Sequence, residues 1–85
     1  MQLTILYFAR MREAVGRMRE TVEPPATVHS LGQLRAWLSS RGEPWSSAFS
    51  RVQPLRVALD QMVSDDETPL HDGAEVAFFP PVTGG

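Results

Sequence analysis

The residues best suited to chemistry in this 85-residue sequence are Gly84 and Gly85, which close the run Phe78-Phe79-Pro80-Pro81-Val82-Thr83-Gly84-Gly85. Glycine has no Cβ, so two in succession can thread a channel too narrow for any other residue. Nothing shields the Gly85 carboxyl carbon from attack. Another enzyme can activate such a carboxylate as an acyl-adenylate, which a sulfur or amine nucleophile then attacks. Small, loose residues are also common at chain ends, so the residues in front of the glycines must decide. Pro80 and Pro81 cannot extend a strand ladder. They are expected to project the chain off a body spanning residues 1–81, with Val82 and Thr83 leading into a flexible tail over 82–85.

The other chemistry-bearing residue types narrow the field. With no cysteine in the chain, disulfides, thiolate metal sites and a cysteine nucleophile are ruled out. Any sulfur handled here must sit elsewhere, and a C-terminal thiocarboxylate meets that demand. His29 and His71 are distant in sequence and lack a third ligand, so no metal site is expected. Asp65-Asp66-Glu67 lacks the alternating ligands and glycine of a calcium loop and reads as a solvated loop. Ser39, Ser40, Ser46, Ser47 and Ser50 have no nucleophile-elbow context. No glycine-rich phosphate loop is present, so no cofactor is expected on this chain and any ATP must be bound by a partner.

Charge and length exclude more. Eight basic residues against ten acidic ones give a net charge of −2, without the basic stripe of a nucleic-acid binder. Arg10, Arg12, Arg17 and Arg19 cluster, but Glu13, Glu20 and Glu23 interleave with them, as on a mixed solvated surface. No apolar stretch approaches the ~20 residues of a membrane span, and no signal peptide precedes the first strand. Cytoplasmic residence is the expectation. A chain this short buries roughly 60–65% of its unfolded surface, which suits a carrier or subunit better than a self-contained enzyme.

These tail residues need a body to carry them. Gln2–Phe8 is rich in β-formers and predicts a strand, with Leu3, Ile5 and Tyr7 on one face and Thr4, Leu6 and Phe8 on the other. Ala9–Val15 predicts a helical turn ended by Gly16. Met18–Glu23 alternates as a half-buried strand paired back on the first, stopped by Pro24-Pro25. Val28–Ser40 has helical period through Val28, Leu31, Leu34 and Leu38, with Thr27 placed as N-cap and Gly42 as the stop. Gly32 inside it costs ~1 kcal/mol against alanine. Glu43–Val52 predicts a shorter helical or irregular segment, with Trp37 and Trp45 as core or core-edge residues. Leu55–Leu59, Gln61–Val63 and Glu75–Phe79 predict three further strands, with Asp72-Gly73 a turn before the last. The order suits an α+β fold, a mixed sheet packed on one main helix. Phe79 faces opposite to Phe78, Phe8 likewise faces away from Tyr7, and Met62 sits in a strand too short to bury both sides. A partner-covered face is therefore expected at Phe8, Met62 and Phe79.

The ending, together with Leu70-His71-Asp72-Gly73-Ala74-Glu75-Val76-Ala77 before it, resembles the C-terminal signature of the molybdopterin synthase small-subunit family, the MoaD-type ubiquitin-like sulfur carriers. Tyr7-Phe8-Ala9-Arg10-Met11-Arg12-Glu13-Ala14-Val15-Gly16 is similar to that family's first strand and following turn. After Leu55-Arg56-Val57-Ala58-Leu59 the family usually has Asn, where this chain has Asp60. The resemblance implies a β-grasp (ubiquitin-like) fold and a heterotetrameric synthase. It implies that Gly85, with Gly84 before it, is adenylated by an ATP-dependent activating enzyme, then thiocarboxylated, and donates sulfur to a cyclic pyranopterin precursor in molybdenum cofactor biosynthesis. It also implies that Phe8, Met62, Phe79, Pro80, Pro81, Val82 and Thr83 meet the synthase's large subunit. A sulfur carrier for thiamine or tRNA thiolation, a ubiquitin-like protein modifier and a plain interaction module are the rival readings.

Overall fold

The computed structural model describes residues 1–81. β1 (Leu3–Tyr7) buries Leu3, Ile5 and Tyr7 completely and leaves Leu6 only partly covered, the alternation its sequence predicts. α1 (Ala9–Val15) turns the chain and ends at Gly16, whose φ of 86° is left-handed. β2 (Arg19–Val22) returns antiparallel to β1. Two helices follow, α2 (Leu31–Ser39) and α3 (Trp45–Arg51). β3 (Arg56–Leu59), β4 (Met62–Ser64) and β5 (Glu75–Phe79) complete the described chain.

The five strands form one sheet in the order β2-β1-β5-β3-β4. β1 and β5 pair in parallel, and every other pairing is antiparallel. This mixed sheet with the first and last strands at its centre is the expected β-grasp arrangement. Leu31, Leu34 and Leu38 of α2, Met11 and Val15 of α1, and Ala48 and Phe49 of α3 join Ile5, Val57, Val76 and Phe78 in one core. Beside the main helix α2, the shorter α1 and α3 each supply buried apolar residues to the same core.

Two local readings change. α2 begins at Leu31, and its N-cap is Ser30 rather than Thr27. Ser30 Oγ accepts from Gln33 N while the Gln33 side chain accepts from Ser30 N, a reciprocal capping box. His29 and Ser30 stay outside the helix because they pair with the segment ahead of β5: Leu70 N donates to His29 O, and Ser30 bridges Pro69. The acidic loop, expected to be solvated, is docked on α2. Gly32 N donates to Asp66 O at 2.9 Å, and Arg35 binds the Asp66 carboxylate at 2.6 Å. A Cβ on Gly32 would stand 3.0 Å from Asp66 Cβ and 3.1 Å from its carbonyl oxygen. That close approach explains a glycine inside a helix despite its propensity cost.

Candidate functional site

Because side chains alternate along each strand, the register fixes what the uncovered face presents. Arg19, Leu6, Ala77, Ala58 and Val63 form a single transverse row across all five strands. Phe79 lies in the next row, opposite Arg56, toward the end where the chain leaves the sheet. Thr21, Thr4 and Glu75 lie in the row on the other side. Two small residues, Ala58 and Ala77, therefore make the floor of a hollow whose walls include Phe8, Phe79 and Val63. The hollow encloses about 660 Å³ and runs up to Pro80. A second hollow of about 260 Å³ shares Leu6 and Phe8 with it and is flanked by Arg12 and Arg19.

Phe8 is 48% exposed and Val63 66% exposed, so the patch places large apolar side chains in water without a covering layer among the described residues. Exposed contiguous apolar surface of this kind marks an interaction site. The structure brings Phe8, Phe79 and Pro80 together, with Pro81 next along the chain. It does not bring Met62 to them. Met62 is 72% exposed but pairs with Leu59, and so belongs to the sheet's helix-side face. Val63, its neighbour, is the β4 residue in the hollow. Sequence reasoning missed Val63 because it turns on which β4 residue opposes Ala58, and the short hairpin hides that register. Val82, Thr83, Gly84 and Gly85 lie outside the described residues.

Away from this face stands a polar cluster that sequence reasoning dispersed over a solvated surface. The Glu20 side chain is only 7% exposed. Its Oε2 accepts from the Tyr7 hydroxyl at 2.7 Å and from Trp45 Nε1 at 2.9 Å, and Oε1 accepts from Arg41 at 3.0 Å. The Arg41 guanidinium lies 4.0 Å from the Trp45 ring centroid, within cation–π range. Burial alone would raise the Glu20 pKa, but the bonds from Arg41, Tyr7 and Trp45 outweigh it and hold the carboxyl below its ordinary value. Burial, reinforced by Glu20, pushes the Tyr7 hydroxyl upward, so it stays protonated and donating. The cluster ties β1 and β2 to α3 and to the segment after α2. The signal for it, Glu20 in phase with Val22 on a half-buried strand, was present.

At the far end of the sheet, Asp60 fills the position where the resembled family has Asn. Asp60 and Gln61 both have positive φ, 48° and 71°, as a two-residue hairpin turn requires. The carboxylate does what an amide oxygen could: Oδ1 accepts from Glu75 N at 3.0 Å. It also adds a charge, with Oδ2 2.6 Å from His71 Nε2. His71 Nδ1 faces the Asp72 carbonyl at 3.0 Å. Both ring nitrogens thus face acceptors, and only the imidazolium can donate to both. The Asp60 bond, followed by the Asp72 carbonyl, raises the His71 pKa. The Glu75 N–H, followed by His71, lowers that of Asp60.

Linkage fixes the sign of the consequence. The His71 contribution to stability is complete below the unfolded pKa of about 6.5 and is lost as pH rises through its raised folded value. The Asp60 contribution is present above about 3.9 and is lost as pH falls through its lowered folded value. Melting curves between about pH 6.5 and pH 8 are therefore expected to show a small loss of stability with rising pH. His71→Gln should flatten that slope. An unchanged slope in the variant would mean that His71 is not its source.

No group of three or more His, Cys, Asp or Glu side chains among the described residues is disposed to hold a metal ion. No helix among them is long and apolar enough to cross a membrane.

Comparison with known proteins adds relatives to this geometry. Residues 5–85 match the model of the ThiS family. The sequence is 39% identical over 83 residues to the molybdopterin synthase sulfur carrier subunit of Escherichia coli, covering 98% of this chain and 99% of that one. The Haemophilus influenzae protein of the same name is 34% identical with the same coverage. Among solved structures, SAMP1 of Haloferax volcanii superposes with a TM-score of 0.78 at 22% identity over the whole of both chains. A complex of subunits 1 and 2 of the molybdopterin-converting factor from Helicobacter pylori matches with a TM-score of 0.68 at 24% identity, also over both whole chains. At these identities the two structures speak for the fold alone.

Proposed function

This chain belongs to the ThiS family, and from that premise we propose that it is the sulfur-carrier subunit of a molybdopterin synthase. The Gly85 carboxylate is the working group. A partner enzyme binds ATP and adenylates it, replacing a poor electrophile with an acyl-adenylate whose leaving group is AMP. A persulfide of the partner then displaces AMP to form an acyl disulfide. A second thiol of that partner attacks the disulfide, leaving a disulfide on the partner and releasing the thiocarboxylate. The arm 82–85 enters a pocket on the large subunit and gives up its sulfur to a cyclic pyranopterin precursor, and two such deliveries complete a dithiolene. The chain holds no phosphate loop and no cofactor of its own in this scheme. It acts as a cosubstrate.

The observation that carries the reading is the full-length likeness to sulfur carrier subunits of molybdopterin synthase at 34–39% identity. The geometry supports it. The uncovered apolar hollow reaches Pro80, so a protein seated on it would lie beside the start of the tail. The rival reading as a protein modifier draws on structural likeness at 22% identity, which carries less weight.

Intact-mass spectrometry of the chain isolated with its activating enzyme tests the proposal. The expected product is heavier by one oxygen-to-sulfur exchange. Attachment of the chain to lysines of other proteins, with no thiocarboxylate, would replace this reading with the modifier.

A further inference from the structure

The uncovered face is electrically graded, and the gradient runs along the strands toward the tail. Its three transverse rows differ in character. Nearest the Asp60 turn lies a row containing Glu75. The middle row is apolar but ends in Arg19 on β2. The row nearest the chain's exit sets Arg56 against Phe79. Arg19 and Arg56 are exposed, and neither forms an ion pair among the described residues. Arg17 and Arg41 meet Glu20 and Arg35 meets Asp66, while Arg10 and Arg12 of α1 and Arg51 of α3, which also lack an ion pair among the described residues, belong to helices and not to the strand rows of this face. Two guanidiniums therefore flank the apolar hollow on opposite sides, uncompensated, while a carboxylate stands at its other end.

We propose that Arg19 and Arg56 are specificity-determining residues that orient the large subunit, whose docking surface presents carboxylates to them beside an apolar centre. The inference rests on the sulfur-carrier reading and deepens it. An apolar hollow floored by two alanines supplies contact area but little direction, since burial is non-directional. Like charges brought together are strongly unfavourable and opposite charges fix register. A partner turned end for end would set its carboxylates against Glu75 and leave both guanidiniums unmatched. The correct orientation places the partner's bulk over Phe79 and Pro80, where the tail departs. Guanidinium is suited to the task because its planar fork pairs with a carboxylate in a defined geometry.

The test is a titration of the full chain with the large subunit that copurifies with it, at several salt concentrations. Wild type, Arg19→Glu, Arg56→Glu, the double variant and the neutral pair Arg19→Gln/Arg56→Gln would be compared, with circular dichroism to establish that each is folded. At low ionic strength each reversal is expected to weaken binding by roughly tenfold or more, mainly through slower association. The difference should shrink to about twofold at about 1 M salt, where screening acts within about 3 Å. The neutral variants should fall between. If wild type binds and the reversed variants bind equally well at every salt concentration, the orienting role is overturned and the sulfur-carrier reading stands. If wild type forms no complex with any large subunit, both fall.

Discussion

A chain lacking Gly85 is expected to assemble with the large subunit and to yield no molybdopterin. The reason is positional. Removing one residue draws the terminal carboxylate back by about 3.5 Å, and a nucleophile and its target must approach to ~3–3.5 Å to react. The loss is therefore close to the whole reach of the reaction. Gly84→Val should fail by a different route, since a β-branched side chain would collide with a channel shaped for bare backbone and would narrow the arm's dihedral freedom. Neither change touches the buried core, which lies within residues 3–78, so the melting temperature should move by no more than about 1–2 °C. Thiocarboxylate formation and product formation can be read separately, by mass spectrometry and in a reconstituted assay. Product at the wild-type rate from a chain without Gly85 would remove the terminal carboxylate from the mechanism altogether.

The second large effect is on stability. Glu20→Ala is expected to destabilise the domain by about 3 kcal/mol, because one deletion strands three donors. The Tyr7 hydroxyl and Trp45 Nε1 lose their acceptor, and Arg41 loses its counter-charge. For a domain of this size that corresponds to a fall of roughly 12–24 °C in melting temperature. Glu20→Gln keeps an acceptor oxygen and the side-chain shape but removes the charge, so about half the loss is expected. Urea unfolding of both variants gives the comparison. A cost below about 1 kcal/mol for Glu20→Ala would place the cluster with ordinary surface ion pairs.

Much of the architecture was legible because its signals are local. The alternation Leu3, Ile5, Tyr7 against Leu6, the breakers at Gly16 and Asp72-Gly73, and the helical spacing of Leu31, Leu34 and Leu38 each appear within a few residues. So did the consequence that Phe78 and Phe79 cannot share a face, which the structure bears out: Phe78 is fully buried and Phe79 partly open. What stayed hidden depends on contacts between distant segments. Thr27 read as the cap because the helical spacing starts at Val28, but His29 and Ser30 pair with Leu70 and Pro69, and Ser30 caps the helix instead. Glu20 looked like one charge in a mixed run because Trp45 and Arg41, which enclose it, are more than twenty residues away. The Met62 and Val63 assignments hinge on strand register, and a one-residue difference exchanges the two faces.

The parallel pairing of β1 with β5 also governs how the molecule is made. β5 is the central strand and joins the β1–β2 pair to the β3–β4 pair, yet it is the last strand to be synthesised. Until residues 75–79 emerge, the two hairpins have no ladder between them, and each exposes an open strand edge of the kind that invites aggregation. Closing the sheet joins segments roughly seventy residues apart, such as Thr4 and Glu75, so folding awaits a late, long-range step. A nascent or prematurely terminated chain has no finished sheet face to offer a partner. The open sheet face and the residues that follow Phe79 are therefore completed in the same late step, and a chain stopped before β5 would lack both.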